Sequence, residues 1–249
     1  MQDRYAGDIG DYGKIALLRA IQAQGLSVGV NWYRVNPLES EKKADGSYKQ
    51  EDGMYLIPED LYACDRALAE RLTRIAKSEG RNKRSIKALE NAALIPGAKY
   101  YSELIPFAGR AEWHARALKR LKGYDVVFVD PDNGLQVKSV GPKSSRSVKY
   151  TFYEEVRDYI RQGQSVLIYN HRCRKPEDRY FYEICNKLQE ETGISESEIL
   201  KITFRKCSVR DYFAVPATPE HREKLIAAFE QMEKSIWGPK GKYVCRIPE

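Results

Sequence analysis

The apolar run Val126-Val127-Phe128-Val129 breaks without transition into Asp130-Pro131-Asp132-Asn133-Gly134, and no other stretch of the chain constrains its fold as strongly. A short unbroken run of this kind, bounded by turn residues, reads as a strand buried on both faces, and such strands belong to parallel sheets covered by helices. In open α/β sheets, ligands gather outside the carboxyl ends of the strands. Asp130, Asp132, Asn133 and the Pro131 carbonyl therefore stand where chemistry is expected. Taken by itself, the same peptide is also an ordinary β-turn, since Pro, Asp, Asn and Gly are the residues turns prefer.

The rest of the chain alternates strand and helix patterns around this run. Ile15, Leu17, Leu18 and Ile21 follow a helical period that Gly25 closes, and Leu26 to Val35 has strand composition. Helical spacing returns over residues 59–77, 85–93 and 110–122, with a short strand over 99–104. A helix over 150–162 leads into the apolar strand Ser165 to Asn170, followed by His171, and another helix spans 178–191. Two apolar runs, 199–204 and 212–215, suggest an antiparallel pair before a long helix over 219–236. The expected fold is α/β, three-layer and Rossmann-like, with a mostly parallel sheet and a C-terminal antiparallel strand pair. A chain of 249 residues suits one such domain, residues 1–249, with a polar loop or hairpin inserted at about 38–58.

Lys and Arg number 42 against 35 acidic residues, a net charge of +7, which favours a polyanionic partner such as nucleic acid or a phosphorylated ligand. The basic segments are Arg81 to Arg84, the Gly/Ser/Pro-bearing stretch with Lys138, Lys143 and Arg146, and Arg172-Cys173-Arg174-Lys175 beside His171. Each is either a phosphate-contacting loop or a solvated one. The five cysteines are scattered with no C-x-x-C pair, so neither a disulfide framework nor a cysteine zinc site is indicated. The first residues lack an apolar signal core and no run reaches a membrane span, so a cytoplasmic protein with no membrane partner is expected.

The N-terminal segment Tyr5-Ala6-Gly7-Asp8-Ile9-Gly10-Asp11-Tyr12-Gly13-Lys14 feeds the first helix, whose bare N–H groups and lysine suit an anionic ligand. Alternatively Asp8 or Asp11 only caps that helix. The segment resembles the Ala-Gly-Asn-x-Ala-Asp-x-x-Lys opening of the adenine-N6 methyltransferases of large-subunit ribosomal RNA, within the S-adenosylmethionine-dependent methyltransferase class. Asp130-Pro131 likewise resembles the first half of that family's Asp-Pro-Pro-Tyr motif. The resemblance implies an enzyme that methylates an adenine amine of RNA or DNA with S-adenosylmethionine as cofactor. By it, Gly7, Asp8, Asp11 and Lys14 line the cofactor site, Tyr5 faces the adenine, and Asp130 and the Pro131 carbonyl accept from the amine. Two departures stand out: Asp132-Asn133 replaces the stacking aromatic, and no Gly-rich turn follows the strand at Val28.

Two other classes account for the same residues. A metal-dependent nuclease or phosphodiesterase would hold Mg²⁺ on Asp130 and Asp132, joined by Asp8 or Asp11, with Lys138 or His171 near the attacking water. A non-catalytic domain would recognise nucleic acid or a nucleotide with the same loops, and the missing Gly-rich turn favours it. No three histidines have metal-ligand spacing.

Overall fold

The computed structural model describes residues 1–42, 56–78 and 84–248, so the centre of the expected insertion and most of the 81–84 basic segment lie outside the described residues. The strands are β1 (Val28–Asn31), β2 (Lys99–Tyr101), β3 (Val126–Val129), β4 (Gly134–Leu135), β5 (Tyr150–Thr151), β6 (Ser165–His171), β7 (Leu200–Phe204), β8 (Arg210–Val215) and β9 (Tyr243–Arg246). The helices are α1 (Ile9–Ala23), α2 (Arg66–Ser78), α3 (Ile86–Asn91), α4 (Arg110–Leu121), α5 (Tyr153–Arg161), α6 (Glu177–Thr192), α7 (Pro219–Lys234) and α8 (Trp237–Gly241).

Seven strands form one mixed sheet in the order β2-β1-β3-β6-β8-β7-β9. The first four run parallel, and β8, β7 and β9 add antiparallel ladders. The chain leaves β1 for β2 on one side and then crosses to β3 on the other. The sheet therefore has its topological switch point between β1 and β3, where ligands of doubly wound sheets bind. Helices α1, α2, α3, α7 and α8 bury one face of the sheet, and α4, α5 and α6 bury the other. The three-layer α/β class and the C-terminal antiparallel strands are as the sequence pattern implies.

Helix α1 owes its close seat on the sheet to glycine. A Cβ at Gly13 would lie 2.9 Å from the Phe204 ring, and one at Gly10 would lie 3.0 Å from the Arg210 guanidinium. The Tyr243 hydroxyl donates to the Gly13 carbonyl at 2.7 Å, which fixes the helix against the β7–β9 edge. The glycines at 10 and 13 thus bring the N-terminal half of α1, with Asp11 and Lys14, down onto the sheet.

Several elements differ from expectation. Strand character ends at Asn31 rather than Val35, because Tyr33 turns the chain at φ 44° while its N–H donates to the Asn31 side chain. The segment 135–148 is no free loop, and Tyr150 does not begin a helix. Gly134–Leu135 pairs in parallel with Tyr150–Thr151, and Val140 packs with Tyr150 and Phe152 in a small core of its own. Residues 59–77 divide into a 3-10 turn, Glu59–Leu61, and α2. Strand β9 lies in a tail with no strand signal, because its four residues are too short to show an alternation.

Candidate functional site

On the α1 face, register sets a row of side chains across the carboxyl half of the sheet. Asn31 pairs with Val129 and Val129 with Ile168, so Trp32, Asp130 and Tyr169 come next on their three strands, and Tyr169 is opposite Tyr212 on β8. Side chains alternate faces along a strand, so all four residues of this row point toward α1.

Lys14 lies over the row. Its ammonium is 2.6 Å from Asp130 Oδ2 and 3.1 Å from Asp11 Oδ1, with the Tyr169 and Trp32 rings at 5.6 and 5.9 Å. Lys14 is 5% exposed and Asp130 2%, so the pair is shielded from solvent screening. Asp8 caps α1 by accepting from the Asp11 N–H at 3.0 Å, and Asp11 accepts from the Gly7 N–H at 2.7 Å. Asp8 is therefore the cap of α1, while Asp11 ties down the preceding turn and pairs with Lys14. The Tyr212 hydroxyl and the Trp32 ring N–H are buried with no hydrogen-bond partner among the described residues. Buried groups of this kind ordinarily find one.

The charges explain the titration of the cluster. Burial pushes the Asp8 and Asp11 carboxyls upward, opposed by Arg210 and Lys14 at Asp8 and by Lys14 at Asp11. Burial also opposes the Lys14 charge, but Asp130 and Asp11 outweigh it and raise its affinity for the proton. Lys14 is thus a fixed cation. Asp8, Asp11 and Asp130 thus crowd three carboxyls around Lys14, with Arg210 also facing Asp8 and the Met1 ammonium also facing Asp130.

Asp132 belongs to a second cluster. It accepts from Gln2 Nε2 at 2.8 Å and pairs with Lys149 at 3.0 Å, and Lys149 also holds Glu41 at 2.7 Å. Burial would raise its carboxyl, but the Met1 ammonium and Lys149 outweigh that and hold it below the usual aspartate range. Carboxyl ¹³C titration is expected to place Asp132 below, and Asp11 above, the ordinary value of about 3.9. Asp132 then adds stability that is full above that value and lost as pH falls through its lowered one. Asp11 acts oppositely, losing its contribution as pH rises through its raised one. Coincident titration of the two at the ordinary value would contradict this electrostatic picture.

Asp130 and Asp132 thus point into different clusters, each already neutralised by a lysine. Among the described residues no group of three or more His, Cys, Asp or Glu side chains is placed to hold a metal ion. The residues present do not fit the Mg²⁺ site of a phosphodiesterase. S-adenosylmethionine fits no better. Its methionine and ribose need a glycine turn after β1, whereas Trp32 and Tyr33 fill that turn at 1% and 0% exposure. The Met1 amino group further donates to the Tyr33 and Asp130 carbonyls, both at 3.0 Å, across the switch point.

Of the remaining expected residues, Pro131 is buried in the turn, and Asn133 accepts from the His171 N–H at 3.2 Å, joining the ends of β3 and β6. Tyr5 is half-buried beneath the Arg4 guanidinium, which donates to its hydroxyl at 2.8 Å. The basic residues divide. Arg172 is committed to Asp211, Thr203 and Glu177, and Lys175 to Glu183. Lys138, Lys143, Arg146 and Arg174 are exposed, and none has an acidic partner among the described residues. They ride on the loops that follow β4 and β6, which flank the strand ends. Sequence reasoning missed Trp32, Tyr169, Tyr212, Arg210, Lys149 and Gln2; only strand register or long-range packing brings these to the site.

No family model matches the chain, and neither does any curated protein. Among solved structures, one similar chain is a protein of Legionella pneumophila str. Philadelphia 1 described under the family model DUF519. The two are 10% identical over 98% of each chain, with a TM-score of 0.47. No helix of the described residues is long and apolar enough to cross a membrane.

Proposed function

We propose that the protein is a nucleic-acid-binding domain of methyltransferase-like architecture that takes the amine edge of an adenine base at Asp130. One observation carries the reading: the Lys14 ammonium already sits on Asp130 between the faces of Trp32 and Tyr169. A carboxylate flanked by aromatic rings is a receptor for a donor group on a flat or cationic body, and an exocyclic base amine is such a group. Asp11, within 3.1 Å of the same ammonium, gives Lys14 a second seat when a base amine claims Asp130. The unpaired Lys138, Lys143, Arg146 and Arg174 supply the phosphate contacts, consistent with a net charge of +7. Methyl transfer is no part of the reading, because Trp32 and Tyr33 fill the cofactor's place.

The test is fluorescence anisotropy with short single-stranded RNA and DNA oligonucleotides in which adenosine is replaced by inosine, which exchanges the amine for a carbonyl. Adenosine oligonucleotides are expected to bind about tenfold more tightly, the scale of one good base contact. Asp130→Asn, checked for folding by thermal melting, is expected to erase the difference while leaving binding to the inosine oligonucleotide unchanged. Failure of any oligonucleotide to bind at low salt would overturn the proposal.

A further inference from the structure

The loop over residues 102–109, which leaves the carboxyl end of β2, carries Phe107 at 69% exposure and Leu104 at 42%. A single exposed aromatic residue is ordinary. What distinguishes Phe107 is its setting. Arg110, three residues on, donates to the Ser147 carbonyl at 3.0 Å and the Tyr150 carbonyl at 2.6 Å, while pairing with Glu155 at 2.7 Å. These bonds tie the end of the Phe107 loop to the loop bearing Lys143 and Arg146, where Val137 is also 42% exposed. Exposed apolar side chains and unpaired cations thus lie together on loops at the carboxyl end of the sheet, on the face covered by α4 and α5, while the Asp130 side chain points to the other face.

We infer that this edge is a single-strand-specific surface, with Phe107 as an external stacking platform and Lys143 and Arg146 on the phosphates. It deepens the proposed nucleic-acid reading and rests on it. The combination of an aromatic platform with cations tracking the backbone is how proteins hold single strands, because every base offers a face to stack while only phosphates need charge.

The experiment measures anisotropy of a labelled adenosine-containing oligonucleotide, as a single strand and as a duplex of the same sequence. Wild type is compared with Phe107→Ala and with Lys143→Ala/Arg146→Ala across a salt series. Wild type is expected to prefer the single strand. Phe107→Ala should weaken single-strand binding about tenfold, the value of one stacked base, with duplex binding and melting temperature unchanged. The double variant should weaken both and flatten the salt dependence. Equal wild-type affinity for the two forms, or a Phe107→Ala protein that binds the single strand as tightly as wild type, overturns the inference. The two readings fail separately: adenosine preference that ignores Phe107 sinks only the stacking surface, whereas absence of all oligonucleotide binding sinks the nucleic-acid reading as well.

Discussion

Asp130→Ala is expected to lower the folding free energy by about 3–5 kcal/mol, the usual cost of stripping one partner from a buried ion pair. Lys14 is 5% exposed and takes its shortest contact, 2.6 Å, from Asp130. Without it, the buried ammonium keeps Asp11 as its one ion-pair partner. The partner variant distinguishes this cause from mere loss of packing. Lys14→Met in the Asp130→Ala background removes the stranded charge and should restore more than half of the loss, because apolar replacements of buried ion pairs are often neutral or better. Denaturant unfolding of the wild type, both single variants and the double variant gives the coupling directly. A loss under about 1 kcal/mol for Asp130→Ala would mean that the pair is more hydrated than the packing implies.

The second large effect is expected at Gly134, where strand β4 begins. Gly134 adopts φ 116°, and a Cβ there would lie 2.0 Å from Asn170 Oδ1 and 3.0 Å from Asn170 Cα. The asparagine cannot turn aside freely. Its Oδ1 accepts from the Leu135 N–H at 2.6 Å, and its amide donates to Tyr180. Gly134→Ala therefore combines backbone strain with a broken buried hydrogen bond, for a loss of about 2–4 kcal/mol. The control is Gly25→Ala, also at positive φ, 80°, but with nothing within 4 Å of the added Cβ. It should cost about 1 kcal/mol from strain alone. Equal losses at the two glycines, by thermal or denaturant unfolding, would show that the Asn170 contact relaxes away.

What could be read from the residues follows from how local each signal is. Val126 to Val129 could only be a buried strand, and the Asp-Pro turn after it had to fall at the sheet's carboxyl end. Lys14 was recoverable because it follows a Gly/Asp segment that opens a helix. The divergence of Asp130 from Asp132 was not recoverable, since two acids one residue apart read as a pair until the turn directs one to Lys14 and the other to Lys149. Tyr169 and Tyr212 were hidden for a different reason. Each looks like any strand aromatic, and only the β3–β6–β8 register aligns them with Asp130. The role of the glycines at 10 and 13 was equally hidden, since only long-range packing shows that their lack of side chains seats α1 against Phe204 and Arg210.

The short β4–β5 ladder carries a consequence for how a ligand is met. Besides its own pairing it is flanked by bonds from Asn133 N–H to the Lys149 carbonyl and from Gln136 N–H to the Thr151 carbonyl, both 2.9 Å. These fasten the two stems of the loop bearing Lys138, Lys143 and Arg146 to one another before any partner arrives. Closing a flexible loop of that length would otherwise cost conformational entropy at the moment of binding. With its stems already closed, the loop presents its charges from a fixed frame, and on the proposed nucleic-acid reading a phosphate would meet a preorganised surface.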